Sequence, residues 1–173
     1  QSTFVISNTA QTAQLSFMLN QLKENSILLH SKYKRSDKQY WFEQVYESFK
    51  KEGTNRYDVL RSGPIVQASL NISCNYMITE MTTPENLLQR LGRLDRYGEN
   101  QGTNILKVVI SEGIKVGKSI GASARFLNSL HGLQTSKVWY DFLQDTLVNK
   151  TFQLTELYQV YKQFYVNKSL NLS

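Results

Sequence analysis

Apolar residues occur in two alternating patterns along this chain. Short β-branched or aromatic runs at 3–7 (Thr-Phe-Val-Ile-Ser), 27–30, 57–61, 76–80 and 105–110 predict buried strands. Between them the apolar period lengthens to that of a helix. Ala13, Phe17 and a Leu15/Met18/Leu19/Leu22 stripe predict a helix over 10–23 with that stripe facing the core. Trp41, Phe42, Val45, Tyr46 and Phe49 predict a second helix, capped by Ser36-Asp37, running to about Lys51 and ended by Gly53-Thr54-Asn55. Strands of this length alternating with helices point to a parallel sheet with helices on both faces. After Ile110 the character changes. Residues 111–121, rich in Gly and Lys, read as a loop, and helices follow over 123–130, 136–148 and 154–166. The last of these carries Leu154, Leu157, Tyr158, Tyr161 and Tyr165 at helical spacing. An amphipathic tail must bury its stripe, so packing against the preceding unit is expected. The expected organisation is an α/β unit over 1–111, then a connector and helical extension over 112–173.

The stretch Thr83-Pro84-Glu85-Asn86-Leu87-Leu88-Gln89-Arg90-Leu91-Gly92-Arg93-Leu94-Asp95-Arg96 follows the 76–80 strand directly. Thr83 suits an N-cap, Pro84 the first helical position, and Glu85 the positive end of the dipole. On one helix through Arg96, the leucines 87, 88, 91 and 94 share a side, and Gln89, Arg93 and Arg96 form a row opposite them. Gly92 beside that row would let a ligand approach the backbone. Spacing leaves two readings open: a phosphate-facing helix, since guanidinium forks match phosphate oxygens, or a solvated basic face.

Composition narrows the classes. The chain has 173 residues and a net charge of +6, which permits a polyanionic partner without demanding one. The single cysteine, Cys74, excludes an internal disulfide, and nothing signals an oxidising compartment. His30 and His131 are far apart, and no metal-ligand spacing is visible. No apolar run approaches the roughly 20 residues of a membrane span. The chain does not begin with Met, and is expected to be a piece of a longer protein. Gly117-Lys118-Ser119 fails as a phosphate loop, because the position five residues before Gly117 is Glu112. No nucleophile–base pair is evident. His30 ends an apolar strand, Cys74 lies between apolar segments, and Asp37, Glu43 and Glu47 share a helix face with lysines.

In open parallel sheets, ligands sit at the carboxyl ends of the strands. Those ends are Ser7-Asn8-Thr9, His30-Ser31-Lys32, Arg61-Ser62-Gly63, Asn71-Ile72-Ser73 and Glu80 to Thr83. Their small hydroxyl and amide groups suit phosphate contacts or plain capping.

The segment Gln89-Arg90-Leu91-Gly92-Arg93-Leu94-Asp95-Arg96 resembles the sixth motif of superfamily 2 helicases, QRxGRxxR. Three further segments precede it in the family's order. Phe4-Val5-Ile6-Ser7-Asn8-Thr9 resembles the fourth motif. Leu29-His30-Ser31-Lys32-Tyr33 resembles an "LHSRF" element, and Ile65-Val66-Gln67-Ala68-Ser69-Leu70-Asn71-Ile72-Ser73 resembles the fifth motif. The last two take the form used by CRISPR-associated helicase–nucleases of type I systems. The resemblance covers about residues 3–110 and implies a RecA-like fold, the second lobe of a two-lobe ATP-dependent DNA helicase. It implies that ATP with Mg2+ binds between the lobes and that single-stranded DNA crosses their top. By the same resemblance, Arg93 and Arg96 act on the triphosphate, Arg96 as the arginine finger, with Gln89, Gly92 and Asn71 on the nucleotide side. Asn8, Thr9, His30 and Ser31 touch nucleic acid. Ser62, Gly63 and Gln67, also on that side, couple with Asn71 to the nucleotide. The implied partners are single-stranded DNA, a first RecA-like lobe, a nuclease domain and a CRISPR surveillance complex, in the cytoplasm.

Two positions depart from the family. Asn71 stands for the aspartate of its "SLD" element, and Ser62-Gly63 for an Ala-Thr. The phosphate loop and metal-binding acidic motif of the first lobe lie outside this chain, as do nuclease His/Asp ligands, so the chain alone is expected neither to hydrolyse ATP nor to cut DNA. Two alternatives remain at this stage: a non-catalytic interaction module with a helicase-lobe fold, and a lobe of an RNA or DNA-repair helicase.

Overall fold

The computed structural model describes residues 2–68 and 70–172; Ser69, within the segment that resembles the fifth motif, lies outside them. Strands β1 (Thr3–Ile6), β2 (Ser26–Leu29), β3 (Val59–Ser62), β4 (Tyr76–Glu80) and β5 (Ile105–Val109) form one parallel sheet in the order β2-β3-β1-β4-β5. The register aligns Ile27, Leu60, Phe4, Met77 and Leu106 in one row across the sheet. Leu29, Ser62, Ile6, Thr79 and Val108 form the next row on the same face. This is the face that the core covers.

Helix α1 (Ala10–Asn20) carries the chain from β1 outward to β2, and α2 (Arg35–Phe49) brings it back to β3. Right-handed crossovers in opposite directions put α1 on one face and α2, with α3 (Pro84–Leu91), on the other. Side chains agree. Phe49 of α2 meets Phe4 edge-on at 5.2 Å, whereas Arg61, on the opposite row, reaches Ser16 of α1 and Glu24 just beyond it. The sheet is thus RecA-like, α/β with helices on both faces, and a helical C-terminal extension follows.

Four sequence expectations need correction. First, only Ala13 of α1 is buried; Leu15, Met18, Leu19 and Leu22 face outward, Leu22 at 96% exposure. The apolar period does not decide which side of this helix the sheet covers. Second, α2 begins at Arg35 with Lys34 at the cap position, so Ser36 and Asp37 lie inside its first turn. Third, residues 111–121 are not simply a loop. Helix α4 (Glu112–Val116) forms there and Gly117 closes it. Gly113 lets α5 (Ala122–Ser129) pack tightly, since a Cβ on it would lie 2.7 Å from Ala124 Cβ and closer still to the Ile120 carbonyl. Fourth, α3 stops at Leu91, with consequences described below.

The remaining helices are α6 (Leu133–Thr146) and α7 (Leu154–Leu172). Helix α6 packs on α3, α4 and α5, and α7 packs on α6. Trp139 is fully buried between Phe142, Tyr161 and Phe164. These residues join the core beneath the sheet through Leu87, Ile114, Leu127 and Leu133. On α7 the buried face is centred on Leu157 and Phe164, while Leu154 and Tyr158 are exposed. No described helix is long and apolar enough to cross a membrane.

Candidate nucleic-acid and phosphate sites

At the carboxyl ends of β1, β2 and β3 lies an open groove of about 640 Å³. Thr9, Gln11, Ser31, Lys32 and Arg125 line it, with Pro64, Ile65 and Phe126 as apolar wall. Thr9 caps α1, its Oγ accepting the Thr12 N–H at 3.0 Å. Ser31 and Lys32 are exposed in the β2–α2 connection. Arg125 comes from α5, so the extension contributes a cation to this edge.

Of the residues assigned to nucleic-acid contact from sequence, His30 and Ser62 lie below the groove surface, and Asn8 lines the groove while its side chain is bonded into the scaffold. Asn8 is buried, with Nδ2 donating to the Met81 carbonyl at 2.8 Å and to Ser123 Oγ at 2.7 Å. Its Oδ1 accepts from Arg90, and both amide hydrogens are already committed within the protein. His30 is also buried; Nδ1 accepts the Lys32 N–H at 2.9 Å, and Nε2 sits 3.2 Å from Gln14 Nε2. Its ring packs on Tyr33 with centroids 3.9 Å apart. Burial, and then the nearby Lys32 charge, lower its pKa, so the imidazole is held neutral. Ser62 is fully buried and its hydroxyl donates to the Gly63 carbonyl. Gly63 is where the chain passes against α1, a Cβ there meeting Ala10 Cα at 3.3 Å. These side chains shape the groove, and Thr9, Ser31 and Lys32 face it. The pattern of small polar residues at strand ends locates the edge but not which side chains turn inward.

Beneath the groove is a polar cluster whose centre, Arg90, the motif reading passed over. Arg90 is 1% exposed. Its Nε donates to Gln67 Oε1 at 2.8 Å, Nη1 to Thr79 Oγ1 at 2.9 Å and the Glu80 carbonyl at 3.2 Å, and Nη2 to Asn8 Oδ1 at 2.9 Å. Burial pulls its pKa down to about 10, the nearby Glu80 charge opposing. Glu80 Oε2 itself accepts the Asn8 N–H at 2.6 Å. The signal was present: Arg90 lies three residues after Leu87, on the apolar side of the helix.

The arginines singled out from spacing do not form a helical row. α3 ends at Gly92, and residues 92–98 continue as tight turns with Asp95 at a φ of +47°. Those turns are tied back to the segment before β4: Cys74 N–H donates to the Arg93 carbonyl, Asp95 N–H to the Cys74 carbonyl, and Arg96 N–H to Ser73 Oγ. Gln89 is exposed and accepts from Gln67 Nε2 at 3.1 Å. Arg96 is exposed as expected; Nη2 donates to Asn71 Oδ1 at 2.7 Å and Nη1 to the Gly92 carbonyl at 3.2 Å. Arg93 was expected in solvent and is 8% exposed; its Nη2 donates to the Gln67 carbonyl at 3.3 Å, and its buried Nε has no acceptor. Desolvation and then repulsion from Arg96 lower the Arg93 pKa. Neither arginine is in an ion pair among the described residues. Two adjacent guanidiniums without a carboxylate, one with an orphaned donor, make a local excess of positive charge that an anion would satisfy. Among the described residues, no group of three or more His, Cys, Asp or Glu could hold a metal ion.

Comparison with known proteins places this geometry in a family. A putative CRISPR-associated nuclease/helicase Cas3 from Methanocaldococcus jannaschii is 29% identical over 102 residues, 58% of this chain and 14% of that protein. The crystal structure of T. fusca Cas3 superposes with a TM-score of 0.79 at 22% identity, covering 98% of this chain and 21% of that one. The T. fusca Cas3–ATP structure matches with a TM-score of 0.75 over the same 98%. The chain therefore spans about a fifth or less of the length of these relatives. The C-terminal model of the CRISPR-associated nuclease/helicase Cas3 matches residues 1–99, which include both the groove-edge loops and the arginine turns, and the chain belongs to that family.

Proposed function

We propose that this chain is the C-terminal lobe of an ATP-dependent superfamily 2 helicase that translocates on single-stranded DNA in CRISPR interference. In this reading residues 1–111 are the lobe proper, and 112–173 a connector and helical extension. The observation that carries it is the pair Arg93 and Arg96, adjacent cations without a carboxylate partner, on turns anchored to the segment before β4. A triphosphate held by a first lobe would supply the missing negative charge. Arg96, exposed and held by one neutral amide and one carbonyl, is free to swing and is the arginine finger; Arg93 reinforces it. Gln89, Gly92 and Asn71 border the nucleotide side. The reaction is γ-phosphoryl transfer to water, for which Mg2+ would be held by residues outside this chain. That a family structure carries ATP supports nucleotide use.

The groove is the proposed path of the strand, with Lys32 and Arg125 on phosphates and Thr9, Ser31 and Gln11 supplying hydrogen bonds. Other parts of the same protein, namely a first RecA-like lobe and a nuclease domain, and a CRISPR surveillance complex are the proposed partners. The test is Arg96→Ala in the native-length protein. Single-strand-stimulated ATP turnover should fall by about 10³-fold or more, with the melting temperature held. Turnover near the unsubstituted level would remove Arg96 from the role.

A further inference from the structure

We propose that Arg90 is a positioning residue that couples occupancy of the groove at Thr9–Lys32 to the placement of Arg93. This rests on the groove being the nucleic-acid path proposed above. Arg90 is not paired with a carboxylate among the described residues; its guanidinium is held by four neutral oxygens. A buried cation without an ion pair is a costly way to fill a core, and apolar residues of similar volume serve stability as well or better. What the guanidinium adds is geometry. Its three nitrogens point at three separate segments: Nη2 at Asn8 in the groove lining, Nη1 at the end of β4, and Nε at Gln67.

Each outer contact leads onward. Asn8 precedes Thr9, the cap of α1 and part of the groove wall. Gln67 Nε2 donates to Gln89 and Asn86, and the Gln67 carbonyl accepts from Arg93 Nη2. A shift of the Asn8–Thr9 backbone on strand binding therefore displaces Arg90, and Arg90 passes the displacement through Gln67 to Gln89 and Arg93. A lysine keeps the charge, but its single ammonium cannot span Asn8 and Gln67 together.

The experiment follows backbone hydrogen exchange across 89–97 in the 173-residue chain, with and without saturating oligo-dT. Amides 92–96 are all hydrogen-bonded, so changes in their protection can be followed. In the unsubstituted chain oligo-dT should alter exchange in 89–97. Arg90→Lys should bind oligo-dT within about threefold of the unsubstituted affinity and lose that response. Thr79→Val removes a different Arg90 bond, leaves the Asn8–Gln67 link intact, and should keep the response. If Arg90→Lys does not fold, Gln67→Ala cuts the same path and should abolish the response at saturation. A response that survives Arg90→Lys or Gln67→Ala, or that Thr79→Val abolishes equally, overturns the coupling. Oligo-dT binding without any exchange response in the unsubstituted chain overturns it while leaving the nucleic-acid reading intact. Absence of oligo-dT binding overturns that reading, and the coupling with it.

Discussion

Ser123→Ala is the substitution that most directly measures how firmly the helical extension holds the sheet edge. Ser123 sits in the first turn of α5 and is nearly fully buried. Its Oγ accepts from Asn8 Nδ2 at 2.7 Å and lies 3.4 Å from Glu80 Oε2. Alanine keeps the helix but leaves one Asn8 N–H in the interior without an acceptor, because the other is already committed to the Met81 carbonyl. An orphaned buried donor costs about 1–3 kcal/mol. For a chain of this length that is roughly 2–12 °C in Tm, at about 2–4 °C per kcal/mol. Ser136→Ala is the control. Ser136 is as buried, but its hydroxyl donates to the Gly132 carbonyl, which also accepts the Ser136 N–H, so nothing is orphaned and the cost stays under about 1 kcal/mol. Urea and thermal unfolding followed by circular dichroism give both values. A double-mutant cycle of Ser123→Ala with Asn8→Ala should return a coupling of about 0.5 kcal/mol or more. Equal, near-zero losses for Ser123→Ala and Ser136→Ala, with no coupling, would refute the bridge between extension and sheet.

The double variant Leu19→Gln/Leu22→Gln should change stability by no more than about 0.5 kcal/mol per site, since both side chains face solvent; a loss of about 2–5 kcal/mol per residue, read by urea unfolding, would restore the stripe to the core. His30 should titrate below the ordinary value of 6.5 in an NMR pH series. Because its folded pKa is lowered, the unfolded chain binds more protons as the pH drops, so this contribution is complete above 6.5 and declines as pH falls towards the folded pKa. A His30 titration at or above 6.5 would contradict its burial.

Much of this molecule was legible along the chain. Strand 76–80 and the Thr83 cap with Pro84 follow from local chemistry: a β-branched run and a hydroxyl before a proline. The order of motif-like segments resembled that of a helicase lobe, and the family match over residues 1–99 bears that resemblance out. What local chemistry could not decide was which way each element turned. The same apolar spacing served α2, which buries Val45 and Phe49, and α1, which leaves Leu15, Met18 and Leu19 in water. The candidate sites show this most clearly. His30 and Ser62 occur where the sequence located the edge, yet they point beneath it, while Lys32 and Arg125, 93 positions apart, line one groove. Arg90, an arginine on an apolar helical face, became the centre of a network spanning residues 8 to 90 only when the sheet brought β1, β4 and the 64–67 turn together. The sequence by itself determined the strands, most of the helices, their parallel alternation and the family resemblance. Only the tertiary structure decided which polar groups face a ligand and which hold the scaffold, because that choice depends on long-range contacts that no local period encodes.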